Sequence, residues 1–382
     1  MRFGDSEAPP RFVDGNRVTL LRDGAEAYPA MLDAIRSAQE QVLFEMYWFG
    51  SDKAGRRFGD ALVEASARGV EVAVVYDAFG SLGADPAFFD ELRKAGCQVH
   101  EFGPIAPWRR RFKPEGVVRR DHRKILVVDG DTGFTGGINI GDPWLPVEEG
   151  GAGWRDDTVR VEGPAVRGLV ACVLSAWRRA GGGPLSQTRR SDPAPRVHDD
   201  GHRVRVLGES YFRARRQISR AYVAELAQAK ARAWVTNAYF VPDRAVRRGL
   251  RRAAERGVDV RVLLPGKSDV EFVRVASRAT WSSLLRSGVR LFEYQQGILH
   301  AKSAVIDGRF STVGTYNLDY QSFRSNLEVN VAVVDESFGE QMEQSYLRDL
   351  RDSREVQGQE FNRRPYTDRL VEQIAYRFRK LL

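Results

Sequence analysis

The sequence repeats one template, as HRKILVVDGDTGFTGGIN at residues 122–139 and as HAKSAVIDGRFSTVGTYN at residues 300–317, and this repeat indicates the fold. Each begins with H-x-K-x₄-D, and each places an asparagine 17 residues after its histidine. The chain contains only five histidines, so two of them in one extended template indicate an internal duplication rather than chance. The apolar residues between lysine and aspartate predict a buried strand in each copy, with the aspartate at the turn that follows.

The similarity extends to both sides of the template. QVLFEMYWF at 41–49 and AWVTNAYFVP at 233–242 each predict a buried strand, which an amphipathic helix and an R-G-V-[ED]-V turn follow. Alternating strands and helices predict α/β layers, with a largely parallel sheet in each half. The predicted divisions are an N-terminal half over 1–180, a linker rich in Gly, Pro and charge over 181–203, a C-terminal half over 204–335 and a helical tail over 336–382.

The composition limits the partners that the protein can have. A net charge of +8 over 382 residues favours an anionic partner, either nucleic acid or an anionic membrane surface. Cys97 and Cys172 form no metal-binding or disulfide pattern and are expected to be buried thiols in a reducing compartment. The N-terminus has no apolar leader and no stretch approaches 18 uninterrupted apolar residues, so we expect neither a signal peptide nor a transmembrane helix. A membrane role would then be peripheral.

The doubled template supplies two imidazoles, two ammonium groups and two amides, a set that suits an anionic phosphodiester. One histidine can attack phosphorus while the other protonates the leaving oxygen. Lys124 and Lys302 would neutralise the non-bridging oxygens, and Asn139 and Asn317 would donate amide N–H groups to them. No acidic cluster with metal-ligand spacing stands out in the sequence, so we expect a site that uses no metal and no cofactor.

A nucleophilic histidine needs a carboxylate on its second ring nitrogen, which fixes the tautomer. Asp156 follows His122 by 34 residues and Glu328 follows His300 by 28, on strands that align between the halves. We therefore expect Asp156 to hold His122 and Glu328 to hold His300. Asp157 is a second candidate in the first half, although the register favours Asp156.

The doubled H-x-K-x₄-D-x₆-G-[GST]-x-N resembles the phospholipase D superfamily, and finer matches resemble its bacterial cardiolipin synthase branch without transmembrane helices. These matches are FEMYWF, WRDDTVRVEGPAV, NAYFVP and GTYNLDYQSFRSNLEVNV, and the resemblance covers roughly residues 15–335. It implies a duplicated phospholipase D-like fold, in which two α/β halves, each a mixed sheet flanked by helices, share one active site at their interface. It also implies a phosphatidyl-histidine intermediate, phosphatidylglycerol as the donor and the hydroxyl of a second lipid as the acceptor.

The same resemblance implies which residues act. The expected catalytic set is His122, Lys124, Asp129, Asn139, Asp156, His300, Lys302, Asp307, Asn317 and Glu328. The family's usual preference for the N-terminal copy makes His122 the nucleophile and His300 the general acid. Four further residues near the C-terminal ends of predicted strands, where α/β sheets bind ligands, are expected to contact the substrate. They are Glu45, Tyr47, Asn237 and Tyr239.

An insertion in the first half, absent from the second, mixes aromatic and basic residues next to the expected active site. The residues expected to contact a membrane are Trp108, Arg109, Arg110, Arg111 and Phe112, with Lys113, Arg119 and Arg120 around them. The final segment, 366–382, carries an apolar arc on a basic helix, which either packs on the body or lies in a membrane interface. We thus expect a cytoplasmic enzyme bound peripherally at the inner face of the cell membrane, with no obligate protein partner.

Three other functions remain open from the sequence. Water as the acceptor would make the protein a phospholipase D-type hydrolase, and DNA as the substrate would make it a nuclease, which the positive charge would suit. A non-catalytic binding module fits poorly with intact motifs in both halves. Exclusion of water from the pocket decides between transfer and hydrolysis, whereas a long open basic channel would indicate nucleic acid.

Overall fold

The computed structural model describes residues 11–108, 112, 119–186, 197–208 and 216–379. Fifteen strands occur within these residues. They are β1 (Val13–Arg22), β2 (Gln41–Met46), β3 (Glu71–Asp77), β4 (Gln98–Phe102), β5 (Lys124–Val128), β6 (Thr132–Gly136), β7 (Asp157–Glu162), β8 (His202–Gly208), β9 (Arg232–Asn237), β10 (Asp259–Lys267), β11 (Arg290–Ile298), β12 (Lys302–Ile306), β13 (Phe310–Gly314), β14 (Val329–Val334) and β15 (Ser353–Glu355).

Eleven α-helices accompany the strands in the same described ranges. They are α1 (Asp23–Ser37), α2 (Lys53–Ala67), α3 (Pro86–Lys94), α4 (Val166–Ala180), α5 (Gln217–Gln228), α6 (Arg244–Glu255), α7 (Glu271–Leu285), α8 (Tyr320–Arg324), α9 (Glu336–Arg351), α10 (Gly358–Asn362) and α11 (Tyr366–Arg377). None of the helices in the described residues is long and apolar enough to span a lipid bilayer.

The strand order shows the duplication directly. The strands form one sheet in the order β15-β11-β10-β9-β12-β13-β14-β8-β1-β7-β6-β5-β2-β3-β4. From the centre outward, β8-β14-β13-β12-β9-β10-β11 repeats β1-β7-β6-β5-β2-β3-β4 position by position. The halves meet where β1 pairs antiparallel with β8, at Val13 with Val204 and at Asn16 with His202. The sheet of each half is therefore continuous with the other.

The expected mixed α/β fold is confirmed, but the expectation of a largely parallel sheet is wrong. Among the fifteen strands, parallel pairing is confined to β2-β3-β4 and β9-β10-β11. The strands between them pair antiparallel. The reason is local, because only three residues separate β5 from β6 and β12 from β13, and such short turns can join only antiparallel neighbours.

Helices cover both faces of the sheet, and strand alternation directs side chains to each face. In β2, Phe44 packs on the side of α1 and α2 with Phe58, while its neighbour Leu43 packs on the opposite side with Leu169 of α4. The cluster around α4 continues into the second half, where it includes Phe338 and Met342 of α9. A core shared by α4 and α9 thus fixes the two halves against each other.

The segment after β14 combines helices with one strand. α9 packs on the sheet, and β15 pairs antiparallel with β11 at the sheet edge. α11 packs against α7 through Ala375 and Glu372, whose carboxylate accepts a 3.0 Å hydrogen bond from Arg278. The helix leaves an apolar arc exposed, formed by Leu370, Val371, Ile374 and Phe378.

Candidate active site

The two template histidines lie where the halves cross. His122 and His300 each stand two residues before a strand, β5 or β12, and both are buried. The backbone N–H of His122 donates to Leu327 O at 3.0 Å, and that of His300 donates to Arg155 O at 2.7 Å. Each histidine is thus tied by its main chain to the residue that precedes the acid of the other half.

This crossing corrects the predicted acid pairs. His122 Nδ1 lies 3.1 Å from both carboxylate oxygens of Glu328, and His300 Nδ1 lies 2.7 Å from Asp156 Oδ2. The prediction that Asp156 holds His122 and Glu328 holds His300 is therefore wrong. An ionised carboxylate can only accept, so each Nδ1 carries the hydrogen and each Nε2 keeps its lone pair.

Further donors hold both carboxylates in place. Glu328 accepts hydrogen bonds from the hydroxyls of Thr315 and, at 2.7 Å, Ser322. Asp156 accepts from Trp144 Nε1 at 3.0 Å and from the backbone N–H of Asp157 at 2.9 Å. These positioning residues were not identified from the sequence. Each acid therefore has a single orientation toward its histidine.

Asp157, the alternative acid in the first half, has a different partner. One of its carboxylate oxygens lies 2.7 Å from Arg155 Nη1, and the other accepts a hydrogen bond from Ser303 at 2.7 Å. Arg155 also pairs with Asp349 of α9 at 2.9 Å. Asp157 thus belongs to a buried ion-pair network. Asp156 is the acid of the first half that contacts a template histidine, but this histidine is His300 and not His122, which the register predicts.

A glycine in one half replaces the threonine of the other for a steric reason. A Cβ atom built on Gly137 would lie 2.0 Å from Asp156 Oδ1, so any side chain there would displace the acid. The equivalent Thr315 instead donates its hydroxyl to Glu328. Gly137 and Thr315 occupy the same position of the template, so the sequence shows this difference between the halves but not its steric cause.

The lysines and tyrosines repeat around each histidine. Lys124 Nζ donates to His122 O at 2.6 Å and lies 4.8 Å from the centroid of the Tyr47 ring. The Tyr47 ring is in turn 4.8 Å from the His122 ring, centroid to centroid. In the second half, Lys302 donates to the carbonyl of its own template histidine and lies 6.0 Å from the Tyr239 ring. Cation, phenol and imidazole therefore form one group on each side of the site.

Burial sets the charge states of these groups. It lowers the pKa of His122 to about 4, although Glu328 acts in the opposite direction, and it also lowers the pKa of His300. Both imidazoles are consequently neutral near pH 7 before substrate binds. Burial also lowers the pKa of Lys124 to about 7 and that of Lys302 to about 8. An anionic phosphate between these ammonium groups would favour their charged forms.

The template asparagines are both buried. Asn139 Oδ1 accepts a hydrogen bond from the backbone N–H of Trp48 at 3.1 Å. Asn317 Oδ1 is buried and has no hydrogen-bond partner among the described residues. Neither side-chain N–H₂ group donates to another described part of the chain. Their predicted contact with phosphate oxygens stays a prediction.

The template aspartates have structural roles, which corrects their placement in the catalytic set. Asp129 follows β5 and accepts hydrogen bonds from the backbone N–H groups of Gln39, Glu40 and Gln41. Asp307 does the same after β12, for residues 230–232. Both adopt a left-handed conformation, with φ of 51° and 52°. A five-residue strand, roughly 16 Å at about 3.3 Å per residue, separates each aspartate from its histidine.

Two of the four expected substrate-binding residues are also corrected. Glu45 is buried and pairs with Arg123 at 2.6 Å. Asn237 is buried as well, where it accepts a 3.0 Å hydrogen bond from Leu318 N and donates to Tyr316 O. Both side chains are satisfied or paired inside the protein. Strand-end position alone did not distinguish them from Tyr47 and Tyr239, which face the histidines.

The expected membrane residues are only partly described. Trp108 is 85% exposed, and Phe112 is partly buried. Arg109, Arg110 and Arg111 lie outside the described residues, as does Lys113. Arg120 is not a surface cation, because it is buried and pairs with Asp77 at 2.7 Å.

The described residues contain no group of three or more His, Cys, Asp or Glu side chains arranged to hold a metal ion. The candidate site brings together two neutral imidazoles, two buried carboxylates and two amines. In such a centre, one neutral imidazole can attack an electrophilic phosphorus, and the other can protonate the leaving oxygen once it has itself taken up a proton.

Comparison with known proteins identifies relatives of this chain. A sequence profile of the family described as "Cardiolipin synthase, PLD-like domain" matches residues 31–145 and 222–350. A cardiolipin synthase of Geobacillus thermodenitrificans (strain NG80-2) is 34% identical over 360 residues, or 94% of this chain and 71% of that protein. Cardiolipin synthase A of Pseudomonas fluorescens (strain Pf-5) is 38% identical over 367 residues, or 96% of this chain and 74% of that protein.

A solved structure shares the fold at low sequence identity. Phosphatidylserine synthase of Haemophilus influenzae Rd KW20 superimposes with a TM-score of 0.74 at 13% identity, over 98% of this chain and 97% of that one. Polyphosphate kinase of Porphyromonas gingivalis superimposes with a TM-score of 0.55 at 14% identity, over 88% of this chain and 51% of the kinase chain. The duplicated architecture is thus found in enzymes with different substrates.

Proposed function

The chain belongs to the cardiolipin synthase family of the phospholipase D superfamily, and we propose that it transfers a phosphatidyl group from phosphatidylglycerol to the hydroxyl of a second phospholipid. Glycerol is the released product. The observation that carries the proposal is the pair of buried histidines, each with Nδ1 held by a carboxylate of the opposite half. That geometry provides one nucleophile and one proton carrier at a single site.

In the first step, His122 Nε2 attacks phosphorus, and a P–N bond forms as the P–O bond to glycerol breaks. His300, protonated when the anionic substrate is bound, gives its proton to the departing glycerol oxygen. In the second step, neutral His300 takes the proton of the incoming lipid hydroxyl. The new P–O bond then forms as the P–N bond breaks, which restores both histidines.

The carboxylates and amines stabilise the charges that these steps create. Glu328 lies against the imidazole that becomes cationic when it attacks, and Asp156 lies against the imidazole that carries the proton. Lys124 and Lys302 supply positive charge to the phosphoryl oxygens. Preorganised charges in a site shielded from water are a large source of rate enhancement.

Peripheral binding to an anionic membrane is part of the proposal. The segments after β3 and β10 begin at the carboxyl ends of those strands, and the same edge carries Tyr47 and Tyr239. The exposed apolar side chains along this edge are Phe79, Leu82, Trp108, Val270 and Phe272. α11 lies beside them, because Tyr376 and Ala375 pack in one cluster with Tyr239 and Val273.

The energies of such contacts are large enough for useful membrane affinity. Each large apolar side chain that becomes well buried contributes about 1.5–3 kcal/mol. Each basic residue near an anionic surface contributes about 1 kcal/mol, and this part weakens as salt increases. We propose that the protein binds the inner face of the cell membrane with this edge toward the lipid.

Incubation with phosphatidylglycerol vesicles, followed by mass analysis of the products, tests the function. We expect cardiolipin and glycerol in equal amounts. Phosphatidic acid without cardiolipin would make the protein a hydrolase, and cleavage of DNA without lipid turnover would make it a nuclease. Acid quenching followed by peptide mapping should find the phosphorylated residue at His122, whereas label on His300 would reverse the roles of the two histidines.

A further inference from the structure

An exposed carboxylate stands at the rim of the site on the His300 side. Asp269 follows β10 and accepts a 2.6 Å hydrogen bond from the Tyr239 hydroxyl. The Tyr239 ring is 6.1 Å from the His300 ring, centroid to centroid, in an edge-to-face arrangement. A hydrogen bond and a ring contact therefore link Asp269 to the imidazole that handles the proton of the alcohol.

The charge of Asp269 reaches across the mouth of the site. Burial lowers the pKa of both His300 and Lys302, and Asp269 opposes this lowering. Burial raises the pKa of Tyr47 in the other half, and Asp269 adds to that increase. Asp269 therefore affects the pKa of groups in both halves, which is consistent with a position at the opening that the two halves share.

The opposite side of the opening has no such carboxylate. Alignment of the two R-G-V-[ED]-V turns places Ser81 at the position equivalent to Asp269. The Ser81 hydroxyl is used internally, since it accepts from Phe49 N at 3.0 Å and donates to Tyr47 O at 3.3 Å. In the described part of the chain, the Tyr47 hydroxyl has no hydrogen-bond partner. The rim is therefore asymmetric, although the catalytic groups are duplicated.

We propose that Asp269 is a specificity-determining residue that accepts hydrogen bonds from the free hydroxyl of a polyol headgroup on the His300 side. The inference rests on the proposed function, in which both the leaving glycerol and the incoming alcohol exchange a proton with His300. In each of these alcohols, a second hydroxyl is attached to the carbon next to the one that bears the reacting oxygen. One carboxylate can therefore position the departing alcohol and, later, the entering one.

A lone carboxylate could bind either a polyol or an ammonium headgroup. The positive charges of the site favour the polyol. Lys302 lies against the ring of Tyr239, and His300 becomes cationic when it holds the proton. A second cation in this space would be repelled by both. A hydroxyl is neutral and donates the hydrogen bond that an ionised carboxylate needs.

The selectivity for the acceptor alcohol measures this role. Phosphatidylglycerol vesicles are incubated with protein and an equimolar mixture of 1,2-propanediol and 1-propanol, and the two phosphatidyl alcohols are quantified by mass. We expect the wild type to prefer the diol by about tenfold or more, the size of one hydrogen bond to a charged group. Asp269→Ala and Asp269→Asn should each reduce this ratio by most of that factor.

Glu271→Gln is the matched control. Glu271 is exposed, stands two residues from Asp269 and pairs with Arg274, so its removal changes the local charge without removing the rim acceptor. The control should keep the wild-type ratio, and a thermal melt identifies any variant that fails to fold. Asp269→Asn remains a test if Asp269→Ala is unstable, because the amide keeps the side-chain shape.

Several results would overturn the inference. A wild type without preference for the diol, or an Asp269→Asn variant that keeps the preference, would remove Asp269 from headgroup recognition. A preference for ethanolamine over 1,2-propanediol that disappears in Asp269→Asn would replace the polyol with an ammonium group. If cardiolipin forms and the selectivity of the variants is unchanged, only this inference fails. If no phosphatidyl transfer occurs at all, the proposed function fails, and the inference fails with it.

Discussion

Replacing Glu328 with Gln tests whether the crossed carboxylate governs the nucleophile. The side chain is fully buried, touches His122 Nδ1 with both oxygens at 3.1 Å and accepts two hydroxyl hydrogen bonds. Gln has the same shape, and the Thr315 and Ser322 hydroxyls can rotate to accept from its N–H₂ group. We therefore expect the fold to survive.

The expected loss of rate follows from the charge. With its amide oxygen toward His122, Gln keeps the tautomer but no longer stabilises the imidazolium, which should slow turnover roughly 10–100-fold, or about 1.4–2.7 kcal/mol. If the N–H₂ group faces Nδ1 instead, the lone pair moves away from phosphorus, and losses near 10⁴-fold are known for such tautomer errors. At least a tenfold loss is expected in both orientations.

The assay compares Glu328→Gln with Asp156→Asn on two leaving groups. Glycerol needs protonation to leave, whereas p-nitrophenol leaves without it. On a phosphatidyl ester of p-nitrophenol, Asp156→Asn should form the phosphoenzyme at a nearly normal rate, while Glu328→Gln should remain slow. Rapid-quench measurement of p-nitrophenol release reads this step. The opposite pattern would make His300 the nucleophile, and normal rates in both folded variants would refute a catalytic role for the crossed acids.

Four further outcomes are expected. The pH profile of kcat/KM should rise through about 4, as His122 becomes neutral. It should fall at higher pH, first as His300 loses the proton that it gives to the leaving alcohol, and then through about 7 to 8 as the buried lysines lose theirs. Lys124→Arg should move only the lysine part of this fall to higher pH. Asp129→Ala should lower the free energy of unfolding by about 2 kcal/mol or more, because three backbone N–H groups lose a charged acceptor. Turnover per folded molecule should stay near that of the wild type. A large loss of turnover without loss of stability would return Asp129 to the catalytic set. Turnover should survive a chelator, because the lysines supply the positive charge, and full loss restored by one added metal would contradict this. Trp108→Ala, and truncation after Pro365, should each reduce co-sedimentation with phosphatidylglycerol vesicles, and unchanged binding in both would show that the membrane surface lies elsewhere.

Much of the site could be predicted because its chemistry is local in sequence. The spacing from His122 to Asn139 repeats from His300 to Asn317, and the acids lie at matching positions before β7 and β14. These features depend only on short stretches of chain. The acid pairs nevertheless differ from those predicted within each half, because the backbone bonds at Leu327 and Arg155 that exchange the acids form only when the halves pack together.

The remaining errors have similar causes. Glu45 and Asn237 stand at strand ends that a sequence pattern associates with ligands, but only the packed structure shows that Arg123 and the backbone near Leu318 occupy them. The histidine and aspartate of H-x-K-x₄-D are close in sequence, which predicts one shared site, whereas an extended strand places them at its two ends. Asp269 belongs to no repeated pattern, and asymmetry between aligned halves is the signal that could have identified it.

The exchange of acids between the halves also bears on the ancestry of the chain. A single half would hold a histidine without its carboxylate, so it could not have worked as a monomer. Two identical copies related by a two-fold axis would supply both pairs, and joining them in one polypeptide would keep the chemistry intact. Once joined, each side could change separately, as Gly137 opposite Thr315 and Ser81 opposite Asp269 show. Fusion thus permits one side of the pocket to specialise for the alcohol without changing the residues that attack phosphorus.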